Sequence, residues 1–116
     1  MAKRKKQRRA REKAPPVDYV DPEGNVLTLR QTLSAGTIAK VGEPPAGEAA
    51  SQADAWRRRS EALFARLAVR WEIAGLPLDE QKLLLGRYRM ADPEMQRWVR
   101  QTITEHLERH IPELAG

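Results

Sequence analysis

Residues 63–78 read LFARLAVRWEIAGLPL, and the element assigned to them decides the fold of the whole chain. Wound at 3.6 residues per turn, Trp56, Leu63, Phe64, Leu67, Trp71 and Ala74 share one face, within an arc of about 100°. That spacing predicts a single amphipathic helix over about residues 52–74. Gly75 and Pro77 supply its stop, and Ser51 with Asp54 carries capping-box spacing at its start.

Downstream, a second helix is expected over about 79–90, with Leu84, Leu85 and Tyr88 on one side and Leu83 and Met90 nearly opposite. A helix apolar on two sides is usually sandwiched between neighbours. Asp92-Pro93-Glu94 then combines an N-cap side chain, a proline at the first helical position and an acid at the positive dipole end. The third helix follows over about 93–110, stopped by Pro112. Its inner face carries Met95, Val99, Thr102, Ile103, His106 and Leu107.

Upstream, Asp21-Pro22-Glu23-Gly24 has type I turn chemistry, and the aliphatic runs Val17–Val20 and Val26–Arg30 flank it. A short hairpin is expected there. Thr37–Val41 reads as a third strand or an extended run, and residues 43–50 as a Pro/Gly/Ala linker. The expected organisation is a basic arm over 1–16, a hairpin segment over 17–42, the linker, and a three-helix domain over 51–116. The fold class is mainly α: a three-helix bundle-like unit preceded by a short β-hairpin and a disordered basic N-terminal arm.

Charge carries the functional signal. Residues 1–13, MAKRKKQRRAREK, hold eight Lys or Arg against Glu12, for +7 (8 − 1). The remainder holds thirteen cations against fifteen acids, for −2 (13 − 15), so the whole-chain charge of +5 belongs to the arm. Four of the six lysines sit in it, while cations elsewhere are almost all arginine, as a GC-rich bacterial coding sequence produces. Cationic side chains neutralise phosphates and release counterions, giving salt-sensitive binding with little sequence preference. Lys3, Arg4, Lys5, Lys6, Arg8, Arg9, Arg11 and Lys13 are therefore the candidate nucleic-acid contacts. Arg59, Arg66 and Arg70 line one edge of the first expected helix and form a weaker second surface; the plain alternative is a solvated face whose arginine stems cover the core margin.

Other constellations weigh less. Helices two and three could present a helix-turn-helix, with Gln96, Arg97, Arg100, Gln101 and Thr104 outward, but Glu105 and Glu108 on the same side would repel phosphate. His106 and His110 are spaced like two metal ligands, yet the chain has no cysteine and the intervening acid is one place from the zinc-protease position. Packed core-edge histidines are the expectation, with no metal and no cofactor. No phosphate loop, nucleophile elbow or dinucleotide-binding glycine turn occurs, so no enzyme is expected. No apolar run reaches bilayer or signal-peptide length, which suits a cytoplasmic protein. The expectation is a small non-enzymatic protein gripping RNA, the ribosome or DNA. The rival is a helical protein–protein adaptor or small regulator, as a monomer or a homodimer, whose arm only solubilises.

Overall fold

The computed structural model describes residues 14–42 and 52–115. The chain runs β1 (Val17–Val20), β2 (Val26–Leu29), α1 (Ala35–Gly42), α2 (Gln52–Leu67), β3 (Ala68–Ile73), β4 (Leu76–Leu78), α3 (Gln81–Met90), α4 (Pro93–His110) and a 3₁₀ turn at Pro112–Leu114. The four strands form one antiparallel sheet in the order β1-β2-β3-β4. The protein is therefore α+β, with four helices among the described residues, and the mainly α, three-helix expectation is corrected. Residues 1–13 of the arm, the whole 43–50 linker, Ser51 and Gly116 lie outside the described residues.

The correction turns on residues 63–78. The expected helix over 52–74 ends at Leu67, whose carbonyl accepts a hydrogen bond from the Arg30 N–H at 2.8 Å instead of extending the helical ladder. From Ala68 on, the backbone pairs with β2: Ala68 faces Leu29, Arg70 faces Thr28, Trp71 faces Leu27 and Glu72 faces Val26, with a bulge between Thr28 and Leu29. The backbone groups of AVRWEI are thus satisfied between strands, where β-branched and aromatic residues are favoured. Gly75, expected as a helix stop, is half of a two-residue hairpin turn. Ala74 and Gly75 both have positive φ, 52° and 80°, as the turn matching strand twist requires. Alanine is strained there, and the Asn25 side-chain oxygen accepts the Ala74 N–H at 3.0 Å, tying this turn to the first one.

The first hairpin is held by Asp21. One carboxylate oxygen accepts the N–H groups of Glu23 and Asn25 at 2.8 and 3.0 Å, and the other accepts the Asn25 amide at 2.9 Å. Gly24, at φ 87°, donates to the Asp21 carbonyl. Far from being an appended element, this hairpin supplies a central strand: β2 lies between β1 and β3. Thr37–Val41, expected as extended chain, is instead inside α1, capped by Ser34, whose hydroxyl accepts the Thr37 N–H at 3.2 Å.

One face of the sheet and the inner faces of α2, α3 and α4 enclose a single core of Leu27, Leu29, Leu63, Phe64, Leu67, Trp71, Leu84, Tyr88, Val99, Ile103 and Leu107. Phe64 stacks on Tyr88 at 4.9 Å and meets the Trp71 ring edge-on at 5.7 Å. The Asp92 carboxylate accepts the Met95 N–H at 2.8 Å, forming the α4 N-cap.

His106, from α4, is fully buried and joins the sheet to the helices. Its Nε2–H donates to the Arg30 carbonyl at 2.8 Å, because a carbonyl only accepts. The neutral ring's Nδ1 then accepts from the Tyr19 hydroxyl at 2.6 Å. Burial, the larger influence, and nearby His110 hold the His106 pKa below its usual value, against the opposing pull of the Arg30 carbonyl. The unfolded ring therefore takes up a proton first, and stability falls as pH drops below the unfolded value of about 6.5 toward the folded one. Urea unfolding at pH 7.5 and 5.5 should show a lower midpoint at pH 5.5, with a slope from this group of at most about 1.4 kcal/mol per pH unit. An unchanged midpoint would mean that the ring takes up its proton without opening the fold.

Candidate nucleic-acid interface

The three arginines assigned to one edge do not share a surface. Arg59, on α2, turns inward and donates to the Leu114 carbonyl at 2.7 Å, fastening the helix to the C-terminal turn. Arg70 sits on β3, paired with Glu72 at 3.0 Å on the exposed sheet surface. The helical alignment of Arg70 with the other two disappears because the chain changes from 100° to strand alternation at Ala68. Only Arg66, at the end of α2, remains exposed in a concave site.

That site is an open cleft of about 1060 Å³ between the α2–β3 junction, the start of α3 and the segment joining β2 to α1. Arg66 and Arg30 line it against one acid, Asp79, for +1 (2 − 1). Ser34 and Thr37, at the α1 N-terminus, also line it, as does Ala14. Ala14 directly follows Lys13 in sequence. The eight cationic candidates Lys3, Arg4, Lys5, Lys6, Arg8, Arg9, Arg11 and Lys13 lie outside the described residues; Ala14, the first described residue, lines the cleft together with Arg30 and Arg66. Arg30 carried no sequence signal: it is a single arginine at the end of a strand, and only β2's central place in the sheet brings it to Arg66.

A second groove, of about 680 Å³, lies between the first half of α2 and the α3–α4 corner. Trp56, Arg57, Glu61, Arg89 and Arg100 line it. Arg89 donates from Nε and Nη2 to one Glu61 oxygen, at 3.0 and 2.7 Å, and this bond raises the Arg89 pKa further. Gln96 also lines the groove, but its amide donates to the Tyr88 and Arg89 carbonyls at 3.0 and 3.3 Å. The Thr104 hydroxyl donates back to the Arg100 carbonyl at 3.0 Å. Two of the outward residues of the helix-turn-helix reading thus spend their donors within the fold. Both ring nitrogens of His106 are likewise engaged, and no cluster of three or more His, Asp or Glu side chains suited to a metal occurs among the described residues.

No helix among the described residues is long and apolar enough to cross a membrane. The features define a class only in outline: a small α+β domain with two arginine-lined concavities, one at the root of a cationic segment. The chain matches no family model, no curated protein and no solved structure.

Proposed function

We propose that this is a non-enzymatic, cytoplasmic nucleic-acid-associated protein that grips phosphates of RNA or DNA through its basic arm without strong sequence preference. The observation that carries the reading is the division of charge: +7 over residues 1–13 (8 − 1) against −2 over the rest (13 − 15). A charge so concentrated creates a strong local field for polyanions, while the remainder of the surface is close to balanced. Arg30 and Arg66 support it from the folded side, because both line the cleft that Ala14, the first described residue, also lines. Phosphate contacts of this kind position a ligand and carry no base information.

The test is a fluorescence-anisotropy titration of the full chain with single-stranded and duplex RNA and DNA from about 50 to 200 mM salt. The expected result is binding that weakens by orders of magnitude across that range. Absence of binding at low salt overturns the proposal.

A second reading, as a protein–protein adaptor, has its own observation. Leu83 and Met90, seven residues apart on α3, are 52% and 84% exposed. Exposed apolar side chains at this spacing form a stripe that a partner helix could cover. A dimer in sizing experiments that dissociates on dilution and ignores salt would favour this reading.

A further inference from the structure

We propose that the groove beside Trp56 takes an unpaired nucleobase, so that the folded part prefers single-stranded nucleic acid to duplex. The inference rests on the phosphate-gripping reading above and adds a second site and a ligand class to it.

Trp56 is 66% exposed, whereas Trp71 is fully buried and Trp98 half-buried. It stands at the wall of the 680 Å³ groove with Arg57, Arg89 and Arg100 around it. Glu61 is the single acid there, and Arg89 already holds it. Three arginines against one glutamate leave the groove at +2 (3 − 1). The ion pairs described are Arg70–Glu72 and Arg89–Glu61, and the Arg57 and Arg100 side chains are both exposed.

An exposed indole rimmed by cations suits one ligand chemistry especially well. The ring face accepts a flat aromatic surface, and the guanidinium groups meet the phosphates that flank it. An apolar protein surface would instead have to desolvate three arginines to reach the same ring. Duplex bases are already stacked on each other and present no free face, so the complementary ligand is a single strand. The volume falls within the roughly 300–1,000 Å³ of ordinary small-ligand clefts, enough for a nucleotide rather than a helix. The Gln96 amide, the side chain here best suited to read a base edge, is committed to two backbone carbonyls. Stacking without edge readout predicts tolerance of base identity.

The test uses the full chain and labelled 12-nucleotide oligo(dT), with a mixed-sequence duplex of equal length as the comparison. Wild type, Trp56→Ala and Trp56→Phe are titrated by anisotropy at fixed salt, and folding is checked by circular dichroism. W56A is expected to weaken single-strand binding about tenfold, with duplex binding and salt dependence unchanged. W56F, which keeps an aromatic face, is expected to lose less. Equal single-strand affinity for wild type and W56A overturns the inference while the phosphate-gripping reading stands. So does a loss that is the same for duplex. If W56A leaves single-strand affinity intact but converts a dimer to a monomer, the indole belongs to a protein interface and the inference is likewise overturned. If the wild type binds neither ligand, the phosphate-gripping reading fails first and takes this inference with it.

Discussion

Trp71→Ala is expected to cost about 3–5 kcal/mol, the usual range for truncating a large buried aromatic. The indole is fully buried at the middle of β3, meets Phe64 edge-on at 5.7 Å, and has the Arg87 guanidinium 6.0 Å from its ring centre. It is also the contact at which sheet and helices close, since its strand partner is Leu27 of β2. Small-domain stabilities begin at about 5 kcal/mol, so the variant should be partly unfolded at 25 °C. Its thermal midpoint should fall by on the order of 20 °C. Trp71→Phe should cost much less than alanine does. The Trp71 Nε1–H is buried with no acceptor among the described residues, and an unpaired buried donor is itself unfavourable by about 1–3 kcal/mol. Phenylalanine removes that donor and keeps most of the ring. Chemical denaturation followed by circular dichroism measures both; equal losses for the two variants would show that the ring's volume is not what holds β3 to the core.

Replacing Lys3, Arg4, Lys5, Lys6, Arg8, Arg9, Arg11 and Lys13 with glutamine in the full chain is expected to abolish most salt-sensitive binding. If all eight arm cations meet phosphates on a duplex, they alone contribute about −7 to the slope of log affinity against log salt. Affinity then falls roughly 10⁴-fold between 50 and 200 mM salt. The neutralised chain retains Arg30 and Arg66, for which the same rule leaves a slope near −2 and a loss of only about tenfold. Anisotropy at several salt concentrations reads both slopes directly. A neutralised chain with an undiminished slope would move the phosphate grip from the arm to the folded domain.

Much of the fold follows from local chemistry. Asp92-Pro93-Glu94 starts α4 because cap, proline and acid act within one turn, and the Asp92–Met95 hydrogen bond realises it. Asp21-Pro22-Glu23-Gly24 turns the chain for the same reason: Asp21 satisfies its own loop. The misread element is the stretch at 63–78. Leu67 and Trp71 are four apart, which places both on one helical face, yet a strand that begins at Ala68 and bulges also turns Trp71 to the core. Periodicity alone cannot separate those outcomes over so short a run. The hairpin signal at Ala74-Gly75 was masked because alanine stands where asparagine or aspartate is usual.

The candidate site divides along the same line. The cationic arm needed only counting, since charge is a property of composition. Arg59, Arg66 and Arg70 looked equivalent on a helix, and they parted because Arg59 found the Leu114 carbonyl, Arg70 entered a strand, and Arg66 met Arg30 across the cleft. Those outcomes depend on residues far away in the chain. Caps, turns, net charge and the apolar faces of α3 and α4 were legible from neighbouring residues because their energies are local. Where α2 ends, that β2 becomes a central strand, and which arginines share a surface were decided by long-range pairing of β2 with β3. The backbone of residues 68–72 could satisfy its hydrogen bonds either within a helix or across a sheet, and the strand partner tipped the balance.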